Sequence, residues 1–63
     1  MSLRIKELRK INNLSQRGLA KLAGVPKTNI EQIEKHMKLP TSKELEKIAA
    51  ALNVSVDELY LRK

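Results

Sequence analysis

The chain has 63 residues, enough for one small domain, and it contains no cysteine and a single histidine. These counts exclude disulfide bonds, thiolate zinc sites and thiol nucleophiles, and one histidine is too few for a histidine metal cluster. Thirteen Lys and Arg against seven Asp and Glu give a formal net charge of +6, which favours a polyanionic partner, nucleic acid before membrane.

The first two predicted elements are short amphipathic helices. Ile5 and Leu8 give the first helix its apolar stripe, and Asn13 is a residue that tolerates the left-handed conformation with which helices end. Ser15 is a favourable N-cap for the second helix, and Gly24 ends that helix. The apolar positions of the second helix are Leu19, Ala20 and Ala23.

Three further helices are predicted after Gly24. Pro26 opens the third helix, because proline fits a first helical turn, and Pro40 separates this helix from the next. Two capping boxes then predict the fourth and fifth helices. Their N-caps and glutamates are Thr41 with Glu44 and Ser55 with Glu58. Since signals for β-strands are nearly absent, the sequence predicts an all-α domain over residues 1–63, with five short helices in one compact unit.

The stretch over residues 16–35 predicts that the second and third helices form a helix-turn-helix. Ala20 is small enough to let the following helix cross nearby, and Gly24 supplies the positive φ that a sharp turn requires. The apolar positions expected between the two helices are Leu19, Ala23, Val25, Ile30 and Ile33. Each position is weak evidence alone, but the set at this spacing and in a basic surround indicates a helix-turn-helix.

The third helix is predicted to present a polar face to DNA. If Ile30 and Ile33 point inward, the outward positions are Lys27, Thr28, Glu31, Gln32 and Lys35. In a helix-turn-helix this face enters the major groove, where side chains contact the edges of the bases. Gln32 suits adenine, Lys27 suits guanine, and Thr28 can donate to a base or contact a thymine methyl group. The alternative for this face is an ordinary solvated surface.

Phosphate contacts are expected around the same surface. Backbone N–H groups near Ser15 and Gln16 form a helix N-terminus that can bind a phosphate and fix the docking register. Arg17, Lys35 and Lys38 flank this surface and are the predicted basic contacts, with solvated side chains as the alternative. The basic residues are concentrated here, since residues 1–43 carry ten basic and three acidic side chains, whereas residues 44–63 carry three and four.

No apolar run approaches the ~20 residues of a membrane span. The basic start at Arg4 and Lys6 is not followed by the apolar segment of a signal peptide. Together with the absence of cysteine, this leads us to expect a cytoplasmic, nucleoid-associated protein.

Motifs along nearly the whole chain carry a resemblance to a known family. They are Leu8-Arg9, Leu14-Ser15-Gln16-Arg17-Gly18-Leu19-Ala20, Gly24-Val25, Ile33-Glu34-Lys35, Pro40-Thr41 and Leu45-x-x-Ile48-Ala49-x-Ala51-Leu52-x-Val54-Ser55-x-Asp57-Glu58-Leu59. As a set they resemble the DNA-binding domain of Cro and the phage repressors (Xre type), over about residues 3–61. The resemblance implies a five-helix lambda-repressor-like fold whose second and third helices bind DNA. It also implies a dimeric prokaryotic or phage transcription regulator.

The resemblance assigns roles to particular residues. It implies a structural contact between Arg9 and Glu34 that holds the first helix on the third. It matches the DNA-contacting positions of the family to Gln16, Lys27, Thr28 and Gln32.

Some residues depart from the family pattern. Pro26 stands where Ser or Thr usually caps the third helix, and Gly18 replaces a better helix former. His36 and Asn13 stand where glycine is usual, which predicts a cost for the left-handed conformation that is greater at the histidine. These departures predict a less stable domain with the same fold.

The predicted function is that of a sequence-specific regulator, a repressor rather than an activator, that binds double-stranded DNA as a homodimer on a palindromic operator. The alternatives are an antitoxin-like or adaptor module that binds another protein, or the DNA-binding domain of a longer protein. An enzyme is not expected, because the sequence lacks paired carboxylates with a histidine and a glycine-rich phosphate loop. No cofactor, metal or small-molecule ligand is expected.

A dimer surface is expected near the end of the sequence. Its candidate residues, which could instead cover the core, are Val56, Leu59, Tyr60 and Leu61.

Overall fold

Four α-helices and one turn of 3-10 helix make up the fold in the computed structural model, which describes residues 3–60. The elements are α1 (Ile5–Ile11), α2 (Gln16–Ala23), α3 (Lys27–Glu34), α4 (Ser42–Leu52) and the 3-10 helix Val56–Leu59. The prediction of an all-helical fold is confirmed for the described residues. The count of five α-helices is not, because the last element is a four-residue 3-10 turn after which the chain becomes extended at Tyr60.

Three of the five elements begin at side-chain caps that the sequence predicts. The Ser15 hydroxyl oxygen accepts a hydrogen bond from the Gly18 amide at 2.9 Å, and this bond satisfies one of the free N–H groups at the start of α2. Both predicted capping boxes are formed, Thr41 with Glu44 and Ser55 with Glu58. Local sequence therefore fixes the starts of α2, α4 and the 3-10 helix.

Left-handed residues end the helices or turn the chain between them. Gly24 has a φ of 71° and caps α2. Asn13, His36 and Asn53 adopt φ values of 57°, 60° and 61°, so the predicted left-handed conformations of Asn13 and His36 are confirmed. Pro26 is the N-cap of α3, in an extended conformation just before the first turn and not within it as predicted. It makes no side-chain hydrogen bond, because its side chain has no acceptor.

The core lies around α2, which packs against both α3 and α4. The fully buried aliphatic side chains at the centre are Leu19, Ile30, Ile48 and Leu59, each with 0% exposure. Leu59 therefore belongs to the interior and does not form a dimer surface. Val56 and Tyr60 are half-buried, and Leu61 lies outside the described residues.

The two ends of the described chain meet beside this core. Leu3 and Tyr60 form an isolated antiparallel bridge, and the Arg4 amide donates to the Leu59 carbonyl at 2.8 Å. The Arg4 guanidinium also donates to the Glu58 carbonyl at 2.9 Å. These bonds hold the 3-10 turn against the start of α1.

Between residues 3 and 60, none of the helices has the length and apolar character of a membrane span. No cluster of acidic, His or Cys side chains in this range could hold a metal ion.

The left-handed conformation of His36 makes this residue a source of strain. Replacing it by glycine removes the clash of Cβ, at the expense of extra entropy in the unfolded chain. We expect His36→Gly to raise the free energy of unfolding by about 1 kcal/mol and the Tm by about 4–8 °C. The control is Asn13→Gly, where the gain should be smaller because asparagine tolerates this conformation better. A gain at position 13 that equals or exceeds the gain at position 36, measured by thermal unfolding, would contradict the argument.

Candidate nucleic-acid interface

The third helix turns its apolar side chains into the core and its polar side chains outward. Ile30 and Ile33 are 0% and 2% exposed, which fixes the rotation of α3 about its axis. The opposite face therefore presents Lys27, Thr28 and Gln32, all of which are exposed. The structure brings these three sequence-predicted residues together on one outward surface of α3.

An ion pair occupies part of that surface. The Lys27 ammonium nitrogen lies 2.7 Å from Oε2 of Glu31, one helical turn further along α3. The hydrogen bond and the charge of Lys27 lower the pKa of the Glu31 carboxyl, and the charge of Lys35 acts in the same direction. Glu31 is therefore ionised at neutral pH, and α3 presents a donor and an acceptor side by side.

The start of α2 lies against the other end of α3. Gln16 is half-buried, and its side-chain amide donates to Oε1 of Glu34 at 3.0 Å. The sequence assigns Gln16 to base contact, whereas in the structure its amide nitrogen has a partner within the protein. The Ser15 hydroxyl oxygen accepts the bond that caps α2, so its O–H donor and the backbone N–H groups at this helix end remain to bind a phosphate.

Glu34 is the centre of a buried polar network. Arg9 donates to both of its carboxylate oxygens, with Nε at 2.8 Å from Oε2 and Nη2 at 3.2 Å from Oε1. The side chains of Arg9 and Glu34 are only 10% and 4% exposed. Arg9 also donates from Nη1 to the Leu14 carbonyl at 2.8 Å. The structure thus places Arg9 and Glu34 in the contact that the family resemblance implies.

A second network holds the first half of α3 and was missed by the sequence analysis. The Asn29 side chain donates to Oε2 of Glu44 at 2.7 Å, while Oε1 of Glu44 accepts from the Thr41 amide at 2.9 Å. The Thr41 hydrogen bond and, less strongly, those of Asn29 and Lys38 lower the pKa of the Glu44 carboxyl. Glu44 was expected only to cap α4. In the structure it also connects α4 to α3.

The predicted basic phosphate contacts differ in their surroundings. Arg17 and Lys35 are exposed, and no hydrogen bond or ion pair within the described residues engages their side chains. Lys38 is half-buried, and its ammonium group lies 3.5 Å from Oε2 of Glu44. Lys38 must therefore exchange or share this partner if it is to contact a phosphate.

Comparisons with known proteins agree with this geometry. The model of the protein family described as "Helix-turn-helix" matches residues 5–59. The chain is 40% identical over 58 residues to the control protein C.SmaI of Serratia marcescens, covering 92% of this chain and 69% of that protein. It superposes on the N-terminal DNA-binding domain of SinR from Bacillus subtilis with a TM-score of 0.89, at 41% identity over 95% of this chain and 88% of that domain.

A structure of SinR bound to DNA is also similar. It gives a TM-score of 0.85 at 42% identity and covers 89% of this chain and 90% of that chain. SinR is the master regulator for biofilm formation.

The Arg9–Glu34 contact should contribute strongly to stability. Removing one partner of a buried pair leaves the other charge without its counter-charge, which costs about 3 kcal/mol or more. We expect Arg9→Met to lower the free energy of unfolding by this amount, most of what a domain of this size possesses.

The control is Lys6→Met, which removes the same charge from an exposed position of α1 and should change stability by no more than about 0.5 kcal/mol. Urea unfolding of both variants makes the comparison. Equal urea midpoints for Arg9→Met and Lys6→Met would show that the Arg9–Glu34 pair contributes no more to stability than a surface contact.

Proposed function

The chain belongs to the helix-turn-helix family, whose model matches residues 5–59, and on this premise we propose how it acts. It is a transcriptional regulator that binds double-stranded DNA, with α3 in the major groove and α2 across the backbone. The single observation that carries the proposal is the exposed polar face of α3, held in place by networks on Glu34 and Glu44 that do not use Gln32 or Thr28.

Base contacts are assigned to the outward face of α3. Gln32 and Thr28 are exposed, and within residues 3–60 no protein group is hydrogen-bonded to their side chains. Gln32 can make paired hydrogen bonds to adenine, and Thr28 can donate to a base or contact a thymine methyl group. Lys27 is assigned to the acceptors O6 and N7 of guanine. Gln16 lies beside this face and contacts DNA with its amide only if it shares or leaves Glu34.

Phosphate contacts position the helix and give no sequence information. Arg17 of α2 and Lys35 at the end of α3 supply exposed charge, and Lys38 adds a third charge when it releases Glu44. The start of α2, with the backbone amides at Ser15 and Gln16, accepts a phosphate at its positive end. This electrostatic component makes binding strongly dependent on salt.

A single small domain contacts few base pairs, so specificity requires two copies. The proposal is a homodimer on a palindromic operator whose half-sites are about one helical turn apart, 10 bp or so. The protein acts as a repressor, because α2 carries Arg17 and Lys21 where an activator would offer acidic groups to polymerase. It is a regulator and not an enzyme, and it is located with its DNA in the cytoplasm, at the nucleoid.

Selection from a random pool of double-stranded DNA tests this function. We expect a palindromic consensus that the protein binds at least about 10³-fold more tightly than random DNA, with affinity that falls as salt rises. Size-exclusion chromatography of the complex should give two copies per operator. Salt-dependent binding without a preferred sequence would reject sequence-specific regulation and leave only the attraction of a basic protein for DNA.

The contribution of Gln32 can then be measured on the selected operator. Gln32→Ala removes the paired donor and acceptor, so we expect operator affinity to fall by about 1–3 kcal/mol and specificity to relax at one base position. Asn12→Ala is the control, because it truncates an amide at the end of α1, where its side chain donates to the Leu8 carbonyl at 2.8 Å. It should leave the base preferences unchanged. If both variants keep the profile of the unmodified protein, Gln32 does not contact a base.

A further inference from the structure

The outward face of α3 contains one acidic side chain, and its partner is a predicted base contact. Glu31 follows Lys27 by one helical turn, and their tips converge so that Nζ and Oε2 are 2.7 Å apart. Both side chains remain accessible, at 45% and 34% exposure. The pair therefore presents a positively charged donor and a negatively charged acceptor to whatever α3 contacts.

We propose that Lys27 and Glu31 together recognise one G·C base pair, with Glu31 as a specificity-determining residue; this inference rests on the proposed DNA-binding function. In the major groove, guanine presents the acceptor O6 and cytosine the donor N4. These two atoms are hydrogen-bonded to each other, about 2.9 Å apart. The protein pair has nearly the same spacing, so the ammonium can face O6 while the carboxylate faces N4.

The ion pair need not break for this contact. A lysine ammonium group has three donors, of which one can stay with Glu31 while the others reach O6 and N7 of guanine. Oε2 of Glu31 has a second lone pair, so it can accept from cytosine N4 while it accepts from Lys27. The pair is thus already arranged in the DNA-free protein, and little side-chain entropy is lost on binding.

The same pattern disfavours the other three base pairs. C·G and A·T reverse the order, so that N4 or N6 places a donor before the ammonium and O6 or O4 an acceptor before the carboxylate; adenine N7 leaves Lys27 one acceptor but does not relieve Glu31. T·A keeps the order, but it puts a thymine methyl group beside Lys27 and the acceptor N7 of adenine beside Glu31. Only G·C gives the ammonium two acceptors and the carboxylate a donor without an adjacent acceptor.

The test is selection from random DNA with the unmodified protein and with Glu31→Ala and Lys27→Met. We expect the operator half-site to contain a fixed G·C pair. Both variants should lose about tenfold in preference at that one base pair and keep the preferences elsewhere, because the two side chains recognise the same pair.

Glu46→Ala is the matched control. It removes an equal charge from an exposed position of α4, so it tests whether the change in net charge alone alters binding. We expect it to raise affinity for all DNA slightly, without altering the profile. Binding of both α3 variants to the selected operator, with their circular dichroism spectra unchanged, excludes loss of folding as the cause.

Several results would overturn the inference. A consensus without a fixed G·C pair, a Glu31→Ala profile equal to that of the unmodified protein, or changes at two different base pairs in the two variants would each reject joint recognition while leaving the proposed function intact. If the unmodified protein selects no consensus at all, the proposed function fails and this inference fails with it.

Discussion

A single buried carboxylate, that of Glu34, determines how the first three helices meet. It lies at the end of α3 and accepts hydrogen bonds from Arg9 of α1 and Gln16 of α2. With 4% of its side chain exposed, Glu34 would be costly to bury without these donors. Arg9 in turn donates to the Leu14 carbonyl in the turn between α1 and α2, so one network fixes three helices and a loop.

The function of α3 requires it to be fixed at both ends and free on one face. Glu34 holds the carboxyl end, and Asn29 holds the first half through Glu44 of α4. Between these points Ile30 and Ile33 set the rotation about the helix axis. Because the restraints all lie on the inner side, the outer side chains can meet a ligand without disturbing the core. Rigid support of this kind keeps base-contacting groups in register.

The sequence predicts correctly those structural features that depend on neighbouring residues alone. The caps at Ser15 and Thr41 and the left-handed turn at Gly24 depend on neighbouring residues, and all three could be predicted. The 3-10 form of the last helix could not, since a capping box is compatible with either helix type and the bridge between Leu3 and Tyr60 forms only in the folded chain. The Asn29–Glu44 bond was missed for the same reason, because it joins residues fifteen positions apart in sequence.

In the proposed function, attraction to DNA and discrimination between base pairs are assigned to different side chains. The exposed charges of Arg17 and Lys35 would attract any nucleic acid, since phosphates are present in every sequence. Glu31 reduces that attraction, but its charge is largely offset by Lys27 at 2.7 Å. In return it gives α3 a strong acceptor, which lysine and arginine cannot supply. A surface of donors alone would bind guanine and phosphate oxygens alike, whereas an acceptor fixed beside a donor distinguishes the order of groups in the groove.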